Sequence, residues 1–242
     1  MDAGAILSPQ SAATAPDRIV SVIVPMYNAA RFIAQALASI RSQTVPAAEI
    51  IVVDDGSTDE GPEIVAAEPG VTLLRKPHSG IGDTVNAGVA IARGNLIAFL
   101  DADDRWLPDK TALQIAALDR DPALAMIFGH GRRFLDTGAE ERVIDVRPAV
   151  SRCSGLFRRE SFVAAGSFGT GEAHEFMSWM LAAGEAGLRY EILPEIVFER
   201  RIHETNHGID HKDDQRRGYF TTLKAALDRR RLRSGSPSQP GE

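Results

Sequence analysis

Short apolar runs alternate with segments of helical periodicity from residue 19 onward. Four runs rich in β-branched and other apolar residues have the texture of buried strands: 19–24, 50–53, 71–74 and 95–100. Three helices are predicted between them: one over 32–40, where apolar residues recur at helical spacing, one that ends near residue 67 after the N-cap residues Ser57, Thr58 and Asp59, and one over 82–92. Strands and helices that alternate in this way are joined by right-handed parallel crossovers. The pattern therefore predicts a doubly wound α/β sheet, which binds ligands beyond the carboxyl ends of its strands.

The regular alternation stops in the second part of the chain. A predicted helix after Pro108 and a predicted strand over 123–128 are followed by weak periodicity over 129–157, with a turn at Asp136–Gly138. The remaining predicted elements are helices over 159–165 and 172–187 and extended segments over 190–193 and 196–202. We interpret 18–211 as one domain, in which a nucleotide-binding half (18–110) carries a mixed α/β acceptor-side half (111–211).

The two ends of the chain differ from this domain. Residues 1–17 lack the basic and apolar regions of a signal peptide and are predicted to be a disordered arm. Residues 212–233 have the pattern of a basic amphipathic helix, and a flexible tail follows to residue 242. The helix is either packed, with a solvated basic face, or a contact for a membrane surface or an anionic partner.

Composition narrows the class of protein. The 242 residues include 27 Lys and Arg against 33 Asp and Glu, and the net charge of −6 argues against nucleic-acid binding. The single Cys153 cannot form an internal disulfide and is predicted to be a small buried hydrophobe, which fits a reducing compartment. No run approaches the roughly 20 apolar residues of a membrane span. We therefore expect a cytoplasmic protein, with peripheral contact at the inner membrane face as the sharper interpretation of the basic helix.

Two predicted strands end in clusters of carboxylates, Asp54-Asp55 and Asp101-Ala102-Asp103-Asp104. On an extended chain Asp101 and Asp103 point the same way, and carboxylates held close repel unless a cation lies between them. Because Mg²⁺-type sites combine one or two carboxylates with substrate phosphates, the clusters predict a metal-bound diphosphate. No glycine-rich phosphate loop is present. The alternative is an acidic helix start, with Asp103 or Asp104 capping a helix near residue 107.

With these features in place, four stretches resemble the family 2 glycosyltransferases of the GT-A fold: 21–44, 49–59, 86–110 and, more loosely, 167–206. The resemblance implies an α/β fold with a mostly parallel, Rossmann-like sheet flanked by helices. It also implies an enzyme that inverts the anomeric centre of a nucleotide-sugar donor, expected to be a UDP-sugar. Because the chain has no QxxRW motif and no predicted membrane span, single-sugar, non-processive transfer is expected.

The resemblance implies a donor site built from five residues. Tyr27 stacks on the nucleotide base with the Pro25 backbone close by, and Asp55 contacts the uracil. In the DxD pair, Asp101 lies near the ribose and Asp103 holds Mn²⁺ or Mg²⁺. Alternatively, Tyr27 is an ordinary aromatic side chain that packs within the fold.

For the chemistry, the resemblance implies Glu175 as the catalytic base and His203 as a group that completes the metal or diphosphate site. Alternatively, Glu175 is a solvated helix residue and His203 is a surface histidine. The chain departs from the family pattern at Thr84-Val85, where an arginine is usual, and at His174-Glu175, where an acidic pair is usual. The missing donor contact could come from His78 or Arg105.

These departures motivate an alternative, a catalytically degenerate glycosyltransferase-like protein that binds a nucleotide or a partner protein. The acceptor is not identified by the sequence. A glycan, a lipid-linked glycan, a peptide and a small metabolite all remain open.

Overall fold

Residues 18–170 and 175–204 are described by a computed structural model, and they contain nine strands and six helices. The strands are β1 Val20–Met26, β2 Glu49–Asp54, β3 Val71–Arg75, β4 Leu96–Phe99, β5 Arg105–Trp106, β6 Leu124–Asp136, β7 Glu141–Ala149, β8 Leu156–Arg158 and β9 Arg189–Ile202. The helices are α1 Ile33–Arg41, α2 Gly61–Ala66, α3 Ile81–Ile91, α4 Lys110–Arg120, α5 Arg159–Ala164 and α6 Glu175–Glu185.

The first half of the fold, residues 18–110, is built around four parallel strands in the order β3-β2-β1-β4. Along β1, Val22 and Val24 face an apolar layer that contains α1, whereas Ile23 faces the opposite layer with Val85 of α3 and Phe99. Both faces of β1 are therefore covered, which explains its unbroken apolar sequence. The predicted alternation of strands and helices in this half is confirmed.

The second half, residues 111–170 and 175–204, extends the same sheet through β8, β6 and β9, with β7 paired to β6. Strand β5, which belongs to the first half by sequence, pairs with β9 at the edge of the sheet. Strand β6 pairs antiparallel with β7 and β8 but parallel with β9. The sheet is thus parallel in the first half and mixed in the second. The predicted turn between β6 and β7 is confirmed, since the Gly138 N–H donates to the Asp136 carboxylate at 2.7 Å.

Strand β9 corrects one expectation. Two extended segments, 190–193 and 196–202, were expected, but residues 189–202 form a single strand. Between Phe128 and His130 of β6, the partner residues in β9 jump from Ile192 to Ile196. Pro194 lies between these two partner residues. Because proline has no N–H to donate, it fits at this irregularity in the pairing, and the strand continues past it.

An aromatic cluster fixes α6 against the sheet. Trp179 of α6 stacks on Phe162 of α5 with ring centroids 4.6 Å apart, and both rings contact Phe157 of β8. Aromatic pairs of this kind bury large areas and add directional contacts. The first residue of α6, Glu175, is consequently held close to the end of β4.

Three expectations about the ends of the chain lie outside the described residues: the arm over 1–17, the basic helix over 212–233 and the tail beyond it. The proposed domain boundaries accordingly stay predictions. Within residues 18–170 and 175–204, no helix combines the length and apolar character needed to cross a bilayer.

Candidate active site

The turns after β1 and β2 are tied together at the carboxyl edge of the sheet. Asn28 has a positive φ of 49°. Its backbone N–H donates to Ser57 Oγ at 2.9 Å, and its side-chain oxygen accepts from the Thr58 N–H at 2.8 Å. This arrangement follows Pro25 at the end of β1 and leaves Tyr27 39% exposed, with its ring 4.4 Å from that of His78. An aromatic face is therefore presented at the edge where a ligand is expected.

Asp55 is buried and anchors the loop 76–80. One carboxylate oxygen accepts from Lys76 Nζ at 2.7 Å and from the Ser79 N–H at 3.0 Å. The other accepts from the Gly80 N–H at 2.9 Å and lies 2.9 Å from His78 Nδ1. Burial alone would raise the pKa of Asp55, but the hydrogen bonds from Lys76, Ser79 and Gly80 hold it below its ordinary value. The carboxylate is thus ionised and already shapes this loop.

Arg152, in the turn between β7 and β8, connects two of the predicted site residues. Its Nη2 and Nε donate to Asp101 Oδ1 at 2.8 and 3.1 Å, and its Nη1 donates to Glu175 Oε1 at 2.6 Å. Despite the burial of the site, Arg152 holds the pKa of Asp101 below its ordinary value. Burial alone would lower the pKa of Arg152, but nearby negative charges, among them Asp101 and Glu175, keep it above its ordinary value. Asp101, Arg152 and Glu175 therefore form one charged unit.

Asp103 and His203 form the second pair at this edge, with Oδ2 and Nε2 3.1 Å apart. His203 is buried and its ring packs on Phe32, with centroids 4.5 Å apart. The preceding Arg201 attaches the end of β9 to the acidic segment, since its Nε donates to the Asp103 carbonyl at 2.9 Å. Its backbone N–H donates to Asp104 Oδ1, also at 2.9 Å.

The acidic segment is a turn, which overturns the assumption of an extended chain. The Asp104 N–H donates to the Asp101 carbonyl at 3.0 Å, so that Asp101 faces Arg152 while Asp103 faces His203. The helix-cap alternative is also wrong, because β5 separates this segment from α4 and the residue before α4 is Asp109. Asp104 is instead buried, and desolvation, followed by the charges of Asp103 and Asp101, raises its pKa well above the ordinary value.

The Asp103–His203 pair fits a divalent metal better than a second cluster at this edge, which consists of Asp101, Asp104 and Cys153. Two neighbouring ligands of an octahedral ion about 2.1 Å from each donor lie about 3.0 Å apart, and the observed separation is 3.1 Å. Asp101, Asp104 and Cys153 also bring their donor atoms within 4.8 Å. Burial, however, raises the pKa of the Cys153 thiol and of Asp104 well above their ordinary values, and Asp101 is already paired with Arg152, so this group is the poorer metal site. The Asp103 carboxylate is the ligand type that suits Mg²⁺ or Mn²⁺, and the His203 imidazole would be a second donor to such an ion.

Two further expectations can be placed in the structure. Cys153 is buried, as predicted. Of the two residues suggested as replacements for the missing arginine, His78 lies against Tyr27 and Asp55, whereas Arg105 pairs with Glu199 and Glu141 at 3.0 and 2.8 Å.

The position of the missing arginine itself is structural. The buried Thr84 donates its hydroxyl to the Gly80 carbonyl at 2.8 Å. Two residues on, Asn86 exchanges two hydrogen bonds with the Phe168 backbone, at 2.9 and 3.0 Å. Helix α3 is thereby attached to the segment that leads to α6.

Arg152 and Lys76 are site residues that sequence reasoning missed. Arg152 lies in the stretch 129–157, where periodicity is weakest and no motif marks it. Lys76 follows β3 directly, and its position at the carboxyl end of a parallel strand is a signal that could have identified it.

Comparison with known proteins identifies the family to which the chain belongs. Residues 21–177 match the family described as Glycosyl transferase family 2, and the chain belongs to this family. It is 27% identical over 240 residues to a chondroitin synthase of Pasteurella multocida (strain Pm70), covering 88% of this chain and 24% of that protein. A hyaluronan synthase of Pasteurella multocida is 27% identical over 237 residues, covering 87% and 23%. The chain therefore spans about a quarter of the length of these curated relatives.

Solved structures share the fold. S. aureus TarS 1–349 in complex with UDP aligns with a TM-score of 0.65 at 20% identity, over 76% of this chain and 60% of that one. The mannosyltransferase PcManGT from Pyrobaculum calidifontis, in complex with GDP-Man and Mn²⁺, aligns with a TM-score of 0.61 at 22% identity, over 78% and 58%. The predicted GT-A fold class is confirmed.

Proposed function

We propose that the protein is a metal-dependent, inverting glycosyltransferase that transfers a single sugar from a UDP-sugar to an acceptor hydroxyl. The observation that carries the proposal is the meeting of two units at one sheet edge: the Asp103–His203 pair and the Asp101–Arg152–Glu175 chain. Structures of similar fold, described as complexes with UDP, UDP-GlcNAc, or GDP-Man and Mn²⁺, support a nucleotide-sugar donor.

The base of the donor would bind at the turn after β1. Tyr27 offers an exposed ring face for stacking, next to the Pro25 backbone. Asp55 would contact the uracil, and the same carboxylate holds the 76–80 loop in place. His78, between Tyr27 and Asp55, adds a ring that can border the same base.

Asp103 and His203 would hold Mn²⁺ or Mg²⁺, which acts as a Lewis acid toward the departing diphosphate. Asp101 would lie toward the ribose, and its ion pair with Arg152 keeps its carboxylate ionised. Arg201 attaches the Asp103 carbonyl to the end of β9, which leads directly into His203. The two proposed metal-binding residues are therefore held next to each other although they lie far apart in the sequence.

Glu175 would serve as the base. Its Oε1 is held by Arg152. Among the described residues, its Oε2 has no hydrogen-bond donor and is available to a substrate proton. The acceptor oxygen would attack C1 of the sugar as its proton moves to Glu175, and the C1–diphosphate bond would break on the opposite face. Arg152 shares its charge between two carboxylates, so the unit of three keeps a net charge of −1 and Glu175 remains able to accept a proton.

The test is UDP release from UDP-sugars in the presence of Mn²⁺. Asp103→Ala should lower turnover by about a thousandfold, the scale expected when a metal that stabilises leaving-group charge is lost. Asp109→Ala is the matched control, because Asp109 is an exposed carboxylate six residues on whose side chain makes no cap hydrogen bond. Undiminished turnover in Asp103→Ala would exclude the metal role.

A catalytically degenerate nucleotide-binding protein is the second candidate. The buried Thr84 and Val85 favour it, because neither side chain replaces the arginine that the family usually carries just before Asn86. Calorimetry that shows UDP binding without transfer from any donor in a panel would support this candidate. Loss of turnover in Glu175→Gln with unchanged UDP affinity would exclude it.

A further inference from the structure

A cavity of about 460 Å³ opens beside Asp101 and Arg152. It is bounded by strands β6, β7 and β9 and by the turn that carries Arg152, and Phe176, which follows Glu175, also lines it. The cavity is therefore continuous with the unit that contains the proposed base. None of the roles proposed for Asp101, Arg152 and Glu175 involves the wall of the cavity that β6, β7 and β9 form.

The register of three strands places the side chains of that wall. Gly131 of β6 pairs with Arg147 of β7 on one side and with Phe198 of β9 on the other. Two residues along β6, Arg133 pairs with Asp145 of β7 and with Arg200 of β9. Because directly paired residues point to the same face of a sheet, as do residues two apart, these two rows form one surface.

Gly131 keeps this surface open. A Cβ atom at Gly131 would lie 2.5 Å from the Phe198 ring, so only glycine lets this ring lie across the neighbouring strand. Phe198 lines the cavity in the same row as Arg147, next to the row that contains Arg133 and Arg200. The wall thus combines a flat apolar patch with neighbouring guanidinium groups, an arrangement suited to a small polar ligand.

The charges of the wall are unequal. Arg133 is paired with Asp145, its Nε donating at 2.8 Å. Arg147 and Arg200 are exposed and form no hydrogen bond or ion pair with any residue in 18–170 or 175–204. Arg200 lies beside Arg133 in the register, and like charges in that position repel. Of the two acids in the lining, Asp101 is paired with Arg152, and Asp104 is buried and accepts the Arg201 backbone N–H.

We propose that this cavity binds the acceptor and that Arg147 and Arg200 recognise an anionic group on it, a carboxylate or a phosphate. The inference rests on the proposed function, in which Glu175 accepts the proton of the acceptor hydroxyl. Guanidinium groups bind both kinds of anion through charge-assisted, often bidentate, hydrogen bonds. An anion between Arg147 and Arg200 would also relieve the repulsion between Arg200 and Arg133.

The experiment measures binding of matched probes to the full chain by ligand-detected NMR, with and without UDP and Mn²⁺. Methyl β-glucuronide is compared with methyl β-glucoside, and glycerol 3-phosphate with glycerol. The anionic member of at least one pair should bind about tenfold more tightly than its neutral partner. The pair with the larger ratio distinguishes a carboxylate sugar from a phosphate-bearing polyol.

Variants then locate the site. Arg147→Ala and Arg200→Ala should each remove most of the tenfold preference, whereas Arg142→Ala should retain it. Arg142 is the matched control, since it is an exposed arginine on β7 that does not line the cavity. Equal binding of anionic and neutral probes in both pairs would overturn the proposal.

UDP affinity separates this proposal from the one on which it rests. If Arg147→Ala weakened UDP–Mn²⁺ binding as much as probe binding, the arginine would belong to the donor diphosphate, and the acceptor proposal would be wrong. An arginine-dependent preference for the anionic probe, without UDP release from any UDP-sugar, would support the anion site while excluding the proposed transferase activity.

Discussion

The two halves of the fold assemble their charged groups in different ways. In the first half, carboxylates follow directly from parallel strands: Asp55 lies next to the end of β2, and the segment beginning at Asp101 follows β4. In the second half, the prominent groups are arginines on the two strands that flank β6 and in a turn, such as Arg147, Arg200 and Arg152. The first set depends on where strands end, whereas the second depends on which strands pair. Local sequence therefore determines one set and long-range register the other.

Several contacts join the two halves near the site, among them the Asp103–His203 pair and the bonds of Arg201 to the acidic segment. Arg152 joins Asp101 to Glu175, and Lys110 donates to the Gly155 carbonyl at 2.9 Å. Helix α3 approaches the second half so closely that a Cβ atom at Gly82 would lie 2.3 Å from the Gly169 carbonyl oxygen. If the comparison is correct, changes at these contacts should couple both halves, while changes inside one half should leave the other intact.

Arg152→Ala is expected to have the largest effect. It leaves Asp101 and Glu175 close to each other without their shared cation, and breaking a buried pair in this way costs about 3 to 5 kcal/mol. We expect UDP release to fall about a thousandfold. Arg152→Lys should restore little, because one ammonium group cannot reproduce the planar, three-nitrogen contact with two carboxylates.

Arg189→Ala is the control for this prediction, as Arg189 pairs with Asp121 on an exposed surface of the second half. It should change turnover and stability little. Turnover of Arg152→Ala close to that of the wild type would show that the halves do not depend on Arg152.

The same contrast explains what could be predicted from the sequence. Apolar periodicity identified the strands and helices of the first half because each element is locally encoded there. The convergence of the strand-end acids followed from the rule for parallel sheets. Arg152 could not be found in this way, since it lies 51 residues from Asp101 and 23 from Glu175.

Strand pairing in the second half was equally inaccessible. Periodicity indicates that a segment is extended, but not that β8 pairs between β4 and β6 or that β9 continues past Pro194. The Asp103–His203 pair spans 100 residues and was expected only through the family resemblance. The turn at residues 101–104 was missed because a hydrogen bond between neighbouring backbone groups leaves no mark on hydropathy.

Lys110 gives a stability test of the join between the halves. Burial lowers the pKa of Lys110 to about 7, from an unfolded value of 10.5. Between these values the unfolded chain binds more protons, so stability rises with pH across this window. Relative to Lys110→Met, the wild type should gain about 2 to 3 kcal/mol between pH 7.5 and pH 9.5. Urea unfolding at several pH values measures this difference.

Gln114→Leu is the matched variant for this test. Gln114 accepts a hydrogen bond from Lys110 Nζ at 2.7 Å, yet it does not titrate. The stability difference between wild type and Gln114→Leu should therefore vary much less with pH. A pH-independent difference for Lys110→Met would mean that Lys110 stays charged in the fold.

Asp55→Ala tests whether the first half can be altered alone. The change removes the acceptor for Lys76, Ser79 and Gly80, and we expect UDP affinity to fall about 30-fold. Because the pKa of Asp55 lies below its ordinary value, its stabilising contribution is present at neutral pH and is lost only as the pH falls through the folded-state pKa. Urea unfolding at neutral and acid pH follows this contribution.

The preference of the cavity beside Arg147 and Arg200 for anionic over neutral probes should be unchanged in Asp55→Ala. Asp83→Ala is the control, since Asp83 makes no hydrogen bond or ion pair within the described chain. If Asp55→Ala also abolished anionic probe binding, the two halves would be one cooperative site.

The smallest expected effect separates the two residues suggested as substitutes for the missing arginine. His78→Ala removes a ring that packs 4.4 Å from Tyr27, and calorimetry should show UDP affinity lower by about fivefold. Arg105→Ala should leave UDP affinity within about twofold of wild type, because Arg105 is engaged by Glu141 and Glu199 and such partly exposed pairs contribute little. The opposite ranking would place the donor contact on the strand pair β5–β9, and the second half would then share in binding the nucleotide. Equal losses would mean that both halves contribute, and the division of donor and acceptor binding between them would not hold.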